Sequence, residues 1–317
     1  MSLRNLGGYV SAAYNSLAAN VGQPVYLNSN ALFAFGYLSA TPTVAIINLV
    51  NSSGVVATDN IVTATNRLFA SGATYGNGNG IIAFGFTGTF SSVLNIVNKI
   101  NSNGVFSSDE SASPANSRAK ASSAGYGTDK AIFGYGSPDG SSRSTTTNLV
   151  SNTGVFASNV TSAGPSSSSR ASASYGNDKA IFGFGEIVGN FTNQTNLVDN
   201  TGVVASAVTT VGDLKYELAA AGYDGDKAIF GFGAQGGVGA VATINLISNT
   251  GNMAATTTSV GTARQQLSAA TYGNDKAIFG FTGEAAVTNL VSNTGVVAAN
   301  IATVATARTY SSAASYN

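Results

Sequence analysis

Residues 264–299 read RQQLSAATYGNDKAIFGFTGEAAVTNLVSNTGVVAA, four strand-sized pieces separated by turn residues. The piece from Arg264 to Tyr272 carries small and medium side chains, and Gly273, Asn274 and Asp275 supply the turn chemistry that closes a hairpin. In the second piece, Lys276 to Phe281, alternation assigns Ala277, Phe279 and Phe281 to one face and Ile278 and Gly280 to the other. Both faces are largely apolar, as expected of a sheet covered on both sides. Val287–Val291 reads as a third strand and Val296 to Ala299 as a fourth. Between them Ser292-Asn293-Thr294-Gly295 makes a tight turn in which Gly295 is free to take positive φ.

The same pattern recurs six times. Its aligned small residue falls at Ala34, Gly85, Gly134, Gly183, Gly231 and Gly280, with spacings of 51, 49, 49, 48 and 49. A period near fifty with four strands per copy marks radially repeated sheets. The expected fold is therefore all-β, a six-bladed β-propeller of four-stranded antiparallel blades. Ala219 to Ala221, Ala269/Ala270 and Ala313/Ala314 keep the first strand small, which suits the crowded innermost place. The last stretch, RTYSSAASY from Arg308 to Tyr316, is a first strand that stops where its hairpin should begin, and ALFAFG at 31–36 lacks one. Pairing these two closes the ring and removes an open edge. Residues 28–317 form the propeller. Residues 1–27 are an N-terminal extension, either an anchoring arm or a tail packed on the ring, and 4–15 (RNLGGYVSAAYN) partly mimic a first strand and compete for the closing place.

Only 9% of the 317 residues are charged, against the usual quarter, and 14 basic residues balance 14 acidic ones. Scattered, balanced charge gives no broad footprint for nucleic acid or an anionic membrane. With neither cysteine nor histidine, the chain lacks disulfides, thiolate nucleophiles, histidine metal ligands and the commonest general base. No cofactor and no metal site are expected. Glycosidase chemistry needs two converging carboxylates; Glu186, Asp213, Glu217 and Glu284 could converge, but no spacing rule unites them, and the chain is expected not to be an enzyme. The start lacks a secretion signal, and no segment approaches the eighteen or so apolar residues of a membrane span. A polar, nearly uncharged surface is nevertheless typical of proteins that work outside cells.

The unit KAIFGYG…TNLVSNTGVF resembles a kelch-type β-propeller repeat. The family's double glycine is replaced by Gly134-Tyr135-Gly136 and Gly183-Phe184-Gly185, and tryptophan is absent. The resemblance covers residues 28 to 317 and implies a ring that binds rather than catalyses. The repeats are also similar to those of tailed-phage structural proteins and aquatic viral sequences. That likeness implies a noncatalytic virion component of tail, fibre or capsid surface, present in multiple copies and contacting other virion proteins or host surface glycans. The alternative is a free lectin-like propeller.

Strand order puts the first-to-second and third-to-fourth turns on one side of the disc, where copies are monotonous (YGTDK, YGNDK; SNTG). The second-to-third and fourth-to-first loops share the other side and differ in every copy. Recognition is usually grafted on such loops. Candidate ligand contacts there are Tyr37, Phe90, Asp139, Arg143, Glu186, Phe191 and Asn193, whose aromatic, amide and charged groups suit sugars or a protein partner. A basic residue recurs eight positions before the first-strand tyrosine at Arg67, Arg118, Lys215, Arg264 and Arg308, with Ser167 breaking the series and Arg170 shifted by three. These residues either ring the channel mouth, or cap carbonyls of neighbouring loops or pair with a nearby carboxylate such as Asp213. The Asp-Lys doublets at 129/130, 178/179, 226/227 and 275/276 read as turn chemistry, with no mutual ion pairs expected because strand neighbours face opposite ways. The sequon Asn190-Phe191-Thr192 is expected by chance in a chain so rich in Asn and Thr.

Overall fold

The computed structural model describes residues 29–38, 45–87, 92–282 and 285–317. The N-terminal extension, the competing 4–15 segment, Phe90 and Glu284 lie outside these residues. Among the described residues every regular element is a strand, and the architecture is all-β and β-propeller-like, built of antiparallel four-stranded sheets. One sheet runs Ser268–Tyr272, Lys276–Gly280, Val287–Val291, Ile301–Ala302. Four others follow the same plan from Ser71–Tyr75, Ser122–Tyr126, Ala171–Tyr175 and Ala219–Tyr223. In the sixth, Ser312–Tyr316 pairs with Asn30–Ala34, with Ala314 opposite Leu32. These six first strands lie side by side; Ser312–Tyr316 touches both Ser268–Tyr272 and Ser71–Tyr75.

Pairing corrects several boundaries. Ala83 stands opposite Ser71 as Gly134 stands opposite Ser122, so Ala83, not Gly85, is the aligned small residue of the second copy. The first strands begin near Ser268 and Ser312 rather than at Arg264 and Arg308, because Gln266 (φ 63°) and Tyr310 (φ 54°) interrupt them in the left-handed region. The fourth strand is the two-residue Ile301–Ala302, preceded by a single bridge from Val297 to Val291.

Phe281 also leaves the face assigned to it. Its φ of 64° ends the alternation, so it packs with Ile278 while Ala277 and Phe279 pack into the neighbouring cluster. Phe35, Phe84, Tyr135, Phe184 and Phe232 make the same turn. In five of the six copies two aromatics thus serve opposite interfaces, Ile82 replacing the first of them in the second copy, and Phe279 meets Phe232 of the preceding sheet at 5.1 Å. Burying such a ring contributes about 1.5–3 kcal/mol. The small residue before the turned aromatic makes room: a Cβ on Gly280 would lie 2.4 Å from Phe33.

The monotonous side is fixed by packing. Tyr272, buried at the end of its strand, lies where a Cβ on Gly54 would be, 2.9 Å away, and Gly54 has φ 81°. The same tyrosine-on-turn contact recurs from Tyr316 to Gly104 and from Tyr75 to Gly154. Buried Asn48, Asn98, Asn148 and Asn289 each donate to an acidic or amide side chain eleven residues on: Asp59, Asp109, Asn159 and Asn300. Those groups accept backbone N–H bonds from the loop of a neighbouring copy, as Asp109 does from Thr65 and Asp59 from Thr306. Three of the four Asp-Lys doublets do form ion pairs, Lys130–Asp129 at 3.1 Å and Lys179–Asp178 and Lys276–Asp275 at 2.7 Å, whereas Lys227 pairs with Asp224 at 2.5 Å instead of Asp226. Each Asp sits in the turn before the strand, where strand alternation does not apply.

Candidate functional site

The five recurring cations are not at the channel mouth. Arg67, Arg118, Lys215, Arg264 and Arg308 are buried between sheets, and each stacks over the turned aromatic of the preceding copy: Arg67 over Phe35 at 4.2 Å, Arg118 over Phe84 at 4.5 Å, Lys215 over Phe184 at 5.0 Å, Arg264 over Phe232 at 4.1 Å, Arg308 over Phe281 at 4.7 Å. Arg170, three residues out of register, fills the same place over Tyr135 at 4.4 Å. Desolvated cation–π pairs contribute about 2 kcal/mol each. The guanidinium groups also cap carbonyls: Arg308 Nε donates to Phe35 O at 2.6 Å and Arg118 Nη1 to Thr146 O at 3.0 Å. Arg170 Nη2 likewise donates to Phe182 O and Gln194 O, each at 3.2 Å, while its Nη1 and Lys215 Nζ reach the buried amides of Asn196 and Asn245, each at 2.9 Å. Burial lowers the pKa of Lys215 to about 8, opposed by Asp213. These cations tie sheets together, and of the six only Arg170 is among the residues lining the mouth cavity.

The channel mouth on the variable side is formed by other residues. Phe69, Lys120, Ser169, Glu217, Gln266 and Tyr310 stand six positions before their first-strand tyrosines. All six are left-handed, with φ of 51–63°. Non-glycine residues adopt this conformation at a cost of about 1–2 kcal/mol each. Backbone bonds offset it: Lys120 N to Phe69 O at 3.2 Å, Ser169 N to Lys120 O at 3.1 Å, Gln266 N to Glu217 O at 3.0 Å, Tyr310 N to Gln266 O at 3.0 Å and Phe69 N to Tyr310 O at 3.1 Å. The backbone is thus uniform while the side chains all differ.

Those side chains form an arc. Lys120 Nζ lies 5.2 Å from the Phe69 ring, Phe69 stacks on Tyr310 at 3.9 Å, and Gln266 Nε2 donates to Glu217 Oε2 at 3.0 Å. Burial pushes the Glu217 carboxyl up; the Gln266 bond opposes this, Glu186 adds to it and Lys120 opposes it. Inside the rim is a cavity of about 130 Å³ walled by the first strands. Ser122 and Ser169, only 4% and 7% exposed, line it, and neither Oγ has a hydrogen-bond partner among the described residues.

The predicted loop contacts divide. Arg143 pairs with Glu186 at 3.2 Å, and Phe191 stacks parallel on Tyr216, beside Glu217, at 4.0 Å. Tyr37 joins the Phe69, Phe86 and Tyr310 cluster on the other side of the mouth. Asp139 serves its own loop: it accepts from Ser141 N and from Ser142 N and Oγ, and these bonds hold its pKa well below the carboxylate range. Asn193 likewise ties its loop, donating to Thr210 O and Gly212 O at 2.9 Å. Among the described residues no group of three or more metal-ligating side chains comes together, and no helix is long and apolar enough to cross a membrane.

The fold is one that solved proteins share. No known family profile matches the chain, and no curated protein matches it. A solved protein described as "Structure of YjhT" is similar in fold, with a TM-score of 0.58 and 12% identity over 84% of this chain and 96% of that one. At that identity the likeness bears on fold alone.

Proposed function

We propose that the chain is a closed six-bladed β-propeller serving as a noncatalytic structural and binding protein of a virus particle, its variable face turned outward. Closure is supported by the Ser312–Tyr316 pairing with Asn30–Ala34 and by the neighbour order of the first strands. The observation that carries the binding role is the mouth: six equivalent positions share one backbone conformation and present six different side chains. A scaffold role requires the backbone to repeat, but it does not require Phe69, Lys120 and Glu217 to replace one another.

Chain direction supports the polarity. Ser29 Oγ lies 2.8 Å from Asn317 Oδ1, and Gly273 N donates to Ser29 O, both among the turns of the monotonous side. Ser29 therefore lies on the side opposite the variable loops. Mass spectrometry of purified particles tests the reading. Copies at a stoichiometry matching a particle symmetry axis, lost when residues 1–27 are deleted, agree with it; absence from particles contradicts it. A free lectin-like propeller is the second reading, favoured by the cavity at the mouth with its serines unpartnered among the described residues, and glycan binding by a protein absent from particles would select it.

A further inference from the structure

We infer that the cavity at the variable-side mouth is a binding pocket for a single neutral, hydroxyl-rich ring, a terminal monosaccharide unit. This deepens the binding reading above and rests on it. Three features converge. Ser122 and Ser169 line the cavity, and their buried Oγ atoms have no hydrogen-bond partner among the described residues. A hydroxyl both donates and accepts, so two unpartnered serines match a ligand whose own groups do both, and leaving them unmatched costs about 1–3 kcal/mol each.

The rim is charge-neutral and two-sided; Arg170 also lines the cavity, but its guanidinium is held over Tyr135 and donates to Asn196 Oδ1, Phe182 O and Gln194 O. Lys120 and Glu217 are the charged residues of the six-membered rim, on the two sides of Ser169 in ring order. An anion or cation meets both signs there and gains little net attraction, whereas a neutral polyol hydrogen-bonds to the ammonium, to the carboxyl and to the amide of Gln266. Across the ring from Ser169 and Glu217 stand Tyr310 and Phe69, stacked at 3.9 Å, an apolar surface suited to the C–H face of a sugar ring. The volume, about 130 Å³, suits one ring rather than an extended chain.

Ser169 is the smallest of the six rim side chains, and the fold shows what a large one does there: Phe69 and Tyr310 occupy the equivalent place with φ of 52° and 54°, against 52° for Ser169. Ser169→Phe should therefore fold and fill the entrance. The experiment is a glycan array and calorimetric titration with free neutral monosaccharides on wild type, Ser169→Phe and Asp139→Ala, with thermal melts of each as the folding check. The inference expects binding by wild type, an unchanged affinity in Asp139→Ala, and at least a tenfold loss in Ser169→Phe with its melt retained. If Ser169→Phe does not fold, Ser122→Val and Glu217→Gln take its place, each expected to weaken binding. Equal sugar binding by wild type and the folded pocket variants overturns the pocket while leaving a binding propeller with its contacts on the outer loops. Binding of no neutral sugar by wild type overturns it outright. Sugar binding through this pocket by a protein absent from particles leaves the inference standing and removes the virion reading.

Discussion

Replacing Lys215 by methionine should change how stability depends on pH, in a direction fixed by the residue's surroundings. The side chain is fully buried, with Nζ 5.0 Å from the Phe184 ring and 2.9 Å from Asn245 Oδ1. Desolvation lowers its pKa from 10.5 to about 8. A base with a depressed folded pKa holds fewer protons folded than unfolded, so its cost is fully present below about pH 8 and is relieved as pH rises toward that of the unfolded chain. At 1.36 kcal/mol per pKa unit the whole cost is about 3 kcal/mol. About 2 kcal/mol of it should disappear between about pH 7.5 and 9.5. The window must close there, because burial pushes Tyr126 and Tyr310 up to about 12 and their ionisation destabilises the fold above about pH 10. Urea unfolding of wild type and Lys215→Met across that range isolates the lysine, since other groups cancel in the difference. Wild type should gain on the variant as pH rises. A constant difference would mean that Lys215 is not desolvated between the sheets, and would refute the buried placement of the series.

Two other substitutions probe neighbouring contacts. Gly280→Ala places a methyl against Phe33, and overpacking there should cost about 1–3 kcal/mol in thermal or urea unfolding; loss of less than a few tenths would mean that the interface is looser than described. Asp59→Asn keeps the staple, since Asn159 and Asn300 already fill that position, but removes a titration. Burial acts to raise the Asp59 pKa, yet hydrogen bonds from Thr306 and Asn48 and the charge of Arg308 hold it below its usual value. Its contribution is present above about pH 4 and lost as pH falls through the folded pKa. The variant should be slightly less stable than wild type at neutral pH, where the share of the ionised carboxylate is missing, and should lose less stability in acid melts.

The repeat, the four strands and the two unlike faces were legible because alternation and turn residues are local signals. The Gly-aromatic-Gly turn was not: an aromatic in the left-handed region is uncommon, so Phe281 was assigned by alternation to the wrong side. That error hid the cation partners, although the two signals sat together, a basic residue and a turned aromatic in every copy. Arg170 shows why spacing alone misleads, since three residues of shift are absorbed by a long side chain reaching the same ring. The mouth residues escaped for the opposite reason. Phe69, Lys120, Ser169, Glu217, Gln266 and Tyr310 have nothing in common as side chains, and only their fixed offset from the first-strand tyrosine marks them as one set. Of the loop residues chosen by chemistry, Asp139 and Asn193 turned out to organise their own loops.

The account depends on Ser312–Tyr316 completing the sheet that begins at Asn30–Ala34. Because the chain has no cysteine, the double variant Ala31→Cys, Ser315→Cys, whose positions face each other across that pair, reports on it cleanly. Oxidation should form an intramolecular disulfide in nearly every molecule and raise the unfolding free energy by up to about 5 kcal/mol, given the length of chain enclosed. Two thiols that stay free in the folded monomer, or that link only between molecules, would contradict the closed ring.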